Sequence, residues 1–278
     1  MYTNIDKIRI VAIKDVIEET PSVKTFVFYD KLSSNAKPGQ FLMVWIPRAE
    51  ELPMSVMISN KRDHAAITVR KHGFGSTSLY EKMKNDIIGI RGPYGNYFSV
   101  SNDLKHPLLI GGGTGLVPLM RLASVVNKIP RKCTIIMGAK TKDEVLFKDL
   151  TNEILDKTSN NMIVTTEDGS YGIKGVVTDA LKSIIKNEKF DMIYTCGPEL
   201  MMKNIYDLSV IHSIPIQASL ERYMKCGIGI CASCCINDKL VCKDGTVFNE
   251  NQLSNMLEFG KIYRDKSGRK SYYYYYYH

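Results

Sequence analysis

The 278-residue sequence predicts three consecutive parts: an antiparallel β barrel, a doubly wound α/β domain with a parallel sheet, and a small cysteine-rich segment. Short strand-like runs fill residues 7–92, apolar strands alternate with helical stretches from residue 107, and five cysteines fall within 17 residues near the C-terminus. These three patterns are typical of those three kinds of structure. The boundaries that we expect are residues 1–104, 105–216 and 217–260, followed by a basic, tyrosine-rich tail at 261–278.

The barrel is predicted from five runs: KIRIVAIKDVI, VKTFVFY, QFLMVWI, AAITVR and DIIGIRG. Each run is rich in β-branched and aromatic residues and is bounded by turn residues, as short antiparallel strands are. One helix-like stretch, residues 76–85, opens with hydroxyl residues suited to capping. The pattern favours a small antiparallel barrel or sandwich.

The second part begins with the apolar run LLIGGGTG, which leads into a helical pattern. Further apolar strands and amphipathic helices then alternate up to residue 211. Uniformly apolar strands between helices indicate a parallel sheet that is covered on both faces. We therefore expect a doubly wound domain, with ligands at the carboxyl edge of its strands.

Composition excludes several classes of protein. Apolar residues make up 44% of the chain and charged residues 24%, as in a globular protein that buries a core. The chain lacks an apolar run long enough to cross a bilayer, and its N-terminus is charged where a signal peptide is apolar, so we expect a cytoplasmic protein without membrane association. Half of the net charge of +8 lies in residues 261–278, which argues against nucleic-acid binding by the body of the chain. We expect this low-complexity end to be solvated and to take no part in the fold.

The cysteine spacing is the most specific signal. Three thiols come from one tight loop and a fourth from the next segment, which is the plant-type spacing for a two-iron, two-sulfide (2Fe–2S) cluster. Gly227 and Gly229 let the backbone curl around the inorganic core. A zinc knuckle is the alternative, although zinc sites favour two separated C-x2-C pairs. The four predicted ligands are Cys226, Cys231, Cys234 and Cys242, with Cys133, Cys196 and Cys235 as bystanders.

Two glycine turns mark the predicted nucleotide site. A glycine-rich turn between a strand and a helix lets a dinucleotide approach the backbone, although a tight structural turn is the alternative. A later turn, which contains Cys196, Gly197 and Pro198, ends another predicted parallel strand and so lies on the same edge. The residues of the first turn are Gly111, Gly112, Gly113, Thr114 and Gly115.

A weaker signal lies in the barrel, where LPMS is followed by TVRKHGFGSTSL. Gly73, Gly75, Ser76 and Thr77 precede the predicted helix and would present free amides and hydroxyls to a phosphate, with Arg70 as a counter-charge. A β-turn with a capped helix explains the same residues equally well.

In this order the three parts resemble the ferredoxin–NADP reductase superfamily, and more narrowly the electron-transfer subunits of B-type dihydroorotate dehydrogenases. The segments PGQFLMVWIP, GPYGNYF, GGGTGLVP, EDGSYGIKGVVTD and ERYMKCGIGICASCC carry the resemblance. It implies a barrel that binds FAD, an α/β domain that binds NAD or NADP, and a cluster that relays electrons. It also implies a partner, an FMN-containing dihydroorotate dehydrogenase catalytic subunit, in a heterotetramer of two plus two.

The resemblance assigns the flavin site residue by residue. The arginine of the family's Arg-Pro-(apolar)-Ser motif is replaced by Leu52, so Arg70 compensates or FAD is held more weakly. Ser55 would contact the reactive edge of the flavin ring. No acid or nucleophile is expected to act in catalysis. The predicted flavin-binding residues are Leu52, Pro53, Met54, Ser55, Thr68, Val69, Arg70, Gly75 and Ser76.

Two other functions stay open at this point. A reductase subunit of a hydrogenase or a ferredoxin-dependent transhydrogenase would use the same cofactors, and a zinc-stabilised nucleotide-binding regulator would use none of the redox centres. Glu167 and Asp168 are candidates for holding a ribose hydroxyl, against the alternative of a charged turn.

Overall fold

The computed structural model describes residues 5–128, 131–155 and 161–273. Six antiparallel strands close into a barrel in the order β1-β2-β5-β4-β3-β6, with β6 paired back onto β1. Two short helices accompany them, α1 (Lys31–Ser34) and α2 (Phe74–Tyr80). The strands are β1 (Arg9–Thr20), β2 (Val23–Tyr29), β3 (Phe41–Trp45), β4 (Glu51–Met57), β5 (His64–Arg70) and β6 (Ile87–Tyr94).

The barrel is the predicted one, with one strand more than the five runs that predicted it. Strand β4 contains Pro53, which lacks an amide and weakens the strand signal. The protein tolerates it because β4 pairs with β5 only through Val56 and Met57. The barrel helix begins two residues earlier than expected, at Phe74, and ends at Tyr80.

The second part is a seven-stranded sheet in the order β10-β9-β8-β7-β11-β12-β15. All neighbours are parallel except β15, which runs antiparallel to β12. The predicted doubly wound parallel sheet is confirmed. Its strands are β7 (Pro107–Gly112), β8 (Thr134–Ala139), β9 (Asn161–Thr166), β10 (Ile173–Lys174), β11 (Met192–Cys196), β12 (Ile216–Ser219) and β15 (Val247–Asn249).

Helices cover both faces of this sheet. Along β7, Leu108 and Ile110 pack with helices α5 and α6, while Leu109 packs with α3 and α4 on the other face. This alternation follows from the two-residue period of a strand. These helices are α3 (Leu116–Val126), α4 (Lys148–Leu155), α5 (Val177–Ile184) and α6 (Glu199–Ile211). None of the described helices is long and apolar enough to cross a bilayer.

The cysteine-rich segment shares the core of the α/β domain. It contains the hairpin strands β13 (Cys235–Ile236) and β14 (Lys239–Leu240) and helices α7 (Val241–Asp244) and α8 (Glu250–Ser254). Its apolar residues Ile236, Val241 and Phe248 belong to the same buried cluster as Leu108 and Ile110. Because β15 joins the large sheet, the segment is anchored to the α/β domain.

The C-terminal end differs from the expectation of a solvated tail. Strands β16 (Ile262–Arg264) and β17 (Lys270–Tyr272) form a hairpin. Glu258 holds it by accepting hydrogen bonds from Arg264 at 2.6 and 2.8 Å and by pairing with Lys270 at 2.8 Å. The charged residues that suggested solvation are therefore used in folding, while residues 274–278 lie outside the described part.

Candidate functional site

The four predicted cluster ligands lie on one loop and the helix that follows it. The loop turns back at Gly227 and Gly229, whose φ angles of 71° and 79° are left-handed. A side chain at Gly227 would lie 2.6 Å from Met43 of β3, because the loop packs directly against the barrel. Cys234 and Cys242 are buried, whereas Cys231 is exposed at the surface.

Backbone amides of the loop point at the sulfur atoms. Gly229 donates to Cys242 Sγ at 3.2 Å, and Ile230 and Cys231 donate to Cys226 Sγ at 3.3 and 3.4 Å. Cys242 in turn donates its amide to Cys234 Sγ at 3.4 Å. Such amides stabilise thiolates and tune the potential of a cluster bound to them.

The thiols lie in two pairs, Cys226 with Cys231 and Cys234 with Cys242. Burial opposes ionisation of Cys231, but hydrogen bonds involving Ser233 and Cys226 lower the pKa of Cys231 to about 6. The hydrogen bond with Cys242 lowers the pKa of Cys234 to about 7 and raises that of Cys242. Among the described residues, no group of three or more His, Cys, Asp or Glu side chains is close enough together to hold one metal ion. Two thiol pairs fit a two-iron cluster, in which each iron takes two protein ligands.

The bystander cysteines have separate structural places. Cys235 lies in β13, and its carbonyl accepts a hydrogen bond from Arg264 at 3.0 Å. Burial raises the pKa of Cys133 to about 12 and also raises that of Cys196. Buried thiols of this kind are inert packing groups.

A cavity of about 150 Å³, here called the inter-domain cavity, lies between the barrel and the α/β domain. It brings together four of the predicted flavin residues with Thr114 of the glycine turn. An apolar wall flanked by hydroxyls suits a flat aromatic ring with polar edges. The four residues are Pro53, Met54, Ser55 and Thr68.

The other predicted flavin residues lie outside this cavity. Leu52 and Val69 pack into the barrel core. Arg70 faces the α/β domain and forms an ion pair with Glu144 at 3.1 Å. Arg70 was one of two alternatives for offsetting Leu52, the other being weaker FAD binding, and its guanidinium is already paired across the domain boundary.

Two amides at the start of α2 already have hydrogen-bond partners, which favours the capped helix of the two alternatives. The Gly75 amide donates to the Glu50 carboxylate at 3.1 Å, and the Gly73 amide donates to Ser76 Oγ at 2.9 Å. A carboxylate therefore occupies the position where a phosphate was one of the two alternatives. Glu50 is also 3.8 Å from Lys266 of the C-terminal hairpin.

A second cavity of about 430 Å³, the sheet-edge cavity, lies at the carboxyl ends of β7, β8 and β9. Three residues of the two predicted glycine turns line this cavity: Gly112 and Gly113 from the first turn and Pro198 from the second. Gly111 and Gly115 serve packing instead. A side chain at Gly115 would lie 2.4 Å from the Cys196 carbonyl. Gly197 lines a neighbouring cavity with Glu221.

Polar groups of the sheet-edge cavity fit a nucleotide. The buried Thr165 hydroxyl lacks a hydrogen-bond partner among the described residues and lies in the wall of the cavity. Glu167 also lines it, whereas Asp168 is engaged in a turn, where it accepts hydrogen bonds from the Ser170 amide at 3.0 Å and hydroxyl at 2.7 Å. The structure therefore separates the two acidic candidates, with Glu167 on the cavity and Asp168 in the turn.

Sequence reasoning missed two residues of the inter-domain cavity, Glu221 and Arg222. Glu221 lines this cavity and is exposed to solvent. Arg222 is buried and forms a bidentate ion pair with Glu199 of α6. Both follow β12, a strand that was not predicted, so their place at the carboxyl edge of the sheet was hidden.

Two family models match the chain. Residues 109–207 match the oxidoreductase NAD-binding domain, and this range contains every lining residue of the sheet-edge cavity except Arg70. Residues 221–254 match the iron-sulfur cluster binding domain of dihydroorotate dehydrogenase B, which contains all four paired cysteines.

Solved structures share the fold. The structure of an NADH-dependent reduced ferredoxin-NADP oxidoreductase, described as a flavin-based electron-bifurcating system, superposes with a TM-score of 0.78 at 30% identity. It covers 90% of this chain and 92% of that one. A ferredoxin-NADP+ reductase from Plasmodium falciparum superposes with a TM-score of 0.61 at 17% identity over 74% of this chain and 93% of that one, which shows the fold alone.

Curated relatives match over nearly the whole chain. A protein of Methanocaldococcus jannaschii is 44% identical over 94% of this chain and 96% of its own length, and one of Methanocella arvoryzae is 43% identical over 93% and 96%. Both are named probable dihydroorotate dehydrogenase B (NAD(+)), electron transfer subunit. The chain belongs to the family of dihydroorotate dehydrogenase B electron transfer subunits.

Proposed function

We propose that this chain conducts electrons between a catalytic subunit that oxidises dihydroorotate and NAD+, by way of a 2Fe–2S cluster on the cysteine loop and FAD in the inter-domain cavity. The proposal depends most on one observation, that Phe41 of β3 joins the two sites. Phe41 lines the inter-domain cavity, and its ring edge would lie 3.7 Å from a side chain at Gly227 of the cysteine loop. A single side chain therefore separates the flavin cavity from the cluster loop.

The nicotinamide site adjoins the same cavity. A further cavity connects the two sites. It shares Gly112 and Pro198 with the sheet-edge cavity, and it shares Glu221 with the inter-domain cavity. A dinucleotide whose phosphates lie at Gly112 and Gly113 can extend its nicotinamide towards Glu221 and the flavin.

The protein positions its cofactors and tunes them. When bound, FAD exchanges a hydride with the nicotinamide and single electrons with the cluster. Pro53 and Met54 would flank the ring, Ser55 and Thr68 would offer hydroxyls to its edge, and loop amides such as that of Gly229 would stabilise the cluster thiolates. None of these tasks requires a nucleophile.

The exposed face of the cysteine loop suits the catalytic partner. The side chains of Ile228 and Ile230 are 40% and 76% exposed. Cys231, the next residue of the loop, is exposed as well. An apolar surface directly over a redox centre favours a partner that brings its own centre close. We place the FMN-containing catalytic subunit here, in a heterotetramer of two plus two, and in the cytoplasm, where all seven thiols stay reduced.

The decisive experiment is anaerobic purification of the chain with its catalytic partner, followed by analysis of iron, acid-labile sulfide and flavin. We expect iron, sulfide and FAD, bleaching of the flavin by NADH, and NAD+ reduction that depends on dihydroorotate. Zinc without sulfide or flavin would contradict the redox function. Bleaching by NADH without any dihydroorotate-dependent turnover would instead favour the related transhydrogenase function.

A docking variant separates the partner from the cofactors. Ile230→Lys places a charge on the exposed face, so we expect it to lose dihydroorotate-dependent turnover while NADH still bleaches the flavin. Ile211→Lys on α6 is the matched control, since Ile211 is 73% exposed. Equal turnover in the two variants would place the partner elsewhere.

A further inference from the structure

A row of hydrogen-bonded side chains crosses the barrel wall from Glu19 to the inter-domain cavity. The Thr25 hydroxyl donates to Glu19 Oε1 at 2.6 Å, and the Thr25 and Thr68 hydroxyl oxygens lie 2.8 Å apart. Thr25 and Thr68 are 3% and 5% exposed, so water does not break the row. Each hydroxyl can accept one proton and donate another, which is what a proton relay requires.

Sheet register builds this row. Thr25 and Thr68 are directly paired residues of β2 and β5. The pairing of β1 with β2 shifts between Glu18 and Thr20, and this irregularity leaves Glu19 unpaired in the ladder. A bulge of this kind re-aims a side chain, here towards Thr25.

The two ends of the row open into different cavities. Thr68 lines the inter-domain cavity beside Ser55. Glu19 and Thr25 line a third cavity of about 350 Å³, the barrel-side cavity, which lies between the barrel and helix α4. The row is therefore a polar connection between the predicted flavin site and a separate opening.

The redox chemistry of the proposed function, on which this inference rests, needs such a connection. Electrons that reach the flavin singly through a cluster bring no protons, yet a hydride consists of two electrons and one proton. One proton per turnover must therefore reach the flavin separately from the electrons.

We propose that Glu19, Thr25 and Thr68 form the proton relay that supplies the flavin as it is reduced through the cluster. Once Glu19 is protonated, its hydrogen bond with Thr25 reverses, so that Glu19 donates to Thr25 and Thr25 donates to Thr68. Glu19 then gives its proton to Thr25, Thr25 passes its own to Thr68, and Thr68 passes its own to the flavin. With the two electrons, which come from dihydroorotate through the partner, this proton completes the hydride that leaves to NAD+. Water in the barrel-side cavity then reprotonates the Glu19 carboxylate.

The surroundings of Glu19 suit a proton donor. Burial raises the pKa of Glu19, against the opposing effect of the Thr25 hydrogen bond. The charged groups that face it across the barrel-side cavity are Asp15 of β1, Lys61 after β4 and Glu153 of α4. Lys61 is bound to Asp15 at 3.2 Å, so its charge is matched there.

Stopped-flow reduction of the FAD-loaded full chain by a photochemically generated one-electron donor tests the relay, with a pH-indicator dye that reports proton uptake. We expect Glu19→Gln and Thr25→Val to slow proton uptake about a hundredfold, the lower end of what a positioned proton donor contributes. Thr25→Ser keeps the hydroxyl and should restore the rate. Infrared difference spectra should show a carboxylic acid band that disappears in Glu19→Gln.

Glu18→Gln is the matched control, because the Glu18 side chain is 76% exposed and paired with Lys24. Its proton uptake should equal that of the unmodified chain. The relay is overturned if Glu19→Gln behaves like Glu18→Gln, or if Glu221→Gln alone removes the fast uptake, since the proton would then enter through the opposite wall. A chain that binds no FAD would refute the proposed function together with the relay, so flavin content is measured first.

Discussion

Asn96 and Val247 exchange two hydrogen bonds across the domain boundary. Asn96 Nδ2 donates to the Val247 carbonyl at 2.7 Å, and the Val247 amide donates to Asn96 Oδ1 at 2.8 Å. Asn96 follows the last barrel strand, and Val247 begins β15 only five residues after Cys242. The carboxamide thus imitates a neighbouring strand and holds the barrel against the segment that carries the cysteines.

Replacing Asn96 by alanine should loosen this contact. The Val247 amide and carbonyl would lose their partners, which costs about 1–3 kcal/mol for each buried group left unpaired. We expect a lower urea midpoint and earlier loss of the cluster's visible absorbance. Asn251→Ala, at an exposed position in α8, is the control, and equal midpoints in the two variants would contradict the assigned role.

The two cysteine pairs predict a difference between neighbouring residues. Cys242→Ser should abolish 2Fe–2S incorporation, because Cys234 loses its partner thiol, whereas Cys235→Ser should keep iron and sulfide at the level of the unmodified chain. Iron and sulfide analysis with electron paramagnetic resonance of the reduced protein measures both. Retention of a cluster in Cys242→Ser but not in Cys235→Ser would reassign the fourth ligand.

Glu50 should oppose FAD binding. Its carboxylate accepts a hydrogen bond from the Gly75 amide at 3.1 Å, so a phosphate that binds this amide must displace the carboxylate. The negative charge of Glu50 also repels the phosphate. Glu50→Gln removes the charge, and we expect FAD affinity to rise about tenfold, which is about 1.4 kcal/mol. Fluorescence titration of the apoprotein with FAD measures this change. Glu81→Gln is the control, because the Glu81 side chain is 65% exposed, and it should leave FAD affinity unchanged. Weaker FAD binding by Glu50→Gln would show that Glu50 does not oppose the phosphate.

Glu167 and Asp168 should differ in their effect on nucleotide binding. Glu167 lines the sheet-edge cavity, so Glu167→Gln should weaken NADH binding about tenfold and reduce the preference over NADPH, because an acidic group favours a ribose hydroxyl over a phosphate. Asp168→Asn should leave NADH affinity nearly unchanged, since Asp168 is engaged with Ser170. Isothermal titration with both nucleotides gives the comparison. The ribose assignment fails if Asp168→Asn has the larger effect.

The C-terminal hairpin should detach in acid. Hydrogen bonds from Arg264 lower the pKa of Glu258 from its ordinary value of 4.5 to about 2, against the effect of burial, with a further contribution from Lys270. Because the folded pKa is depressed, the stabilisation is complete above about pH 4.5 and is lost as the pH falls towards about 2. The expected loss by about pH 3 is about 2 kcal/mol.

Urea midpoints at neutral pH and at about pH 3 measure this loss. Glu258→Gln should be less stable at neutral pH and should lack this part of the acid sensitivity. Glu81→Gln is the exposed control and should retain it. An unchanged acid sensitivity in Glu258→Gln would show that another carboxylate is responsible.

Signals confined to a few neighbouring residues were enough to predict much of this protein. The change from period-two strands to strand–helix alternation separates the barrel from the doubly wound sheet, and the spacing of Cys226, Cys231, Cys234 and Cys242 places the thiols on one loop. Both depend on local backbone geometry, which a short stretch of sequence determines. Strand β12 and the proline-containing β4 were missed because their local signals are weak.

Contacts between distant residues were decided only by the tertiary structure. The sequence by itself determined the order of the parts, the glycine turns and the thiol spacing. Only packing could pair Arg70 with Glu144, place Glu50 on Gly75, bring Glu221 into the inter-domain cavity and align Glu19 with Thr25 and Thr68. The physical reason is that ion pairs and hydrogen bonds between separate elements depend on sheet register and domain docking, which no local periodicity records.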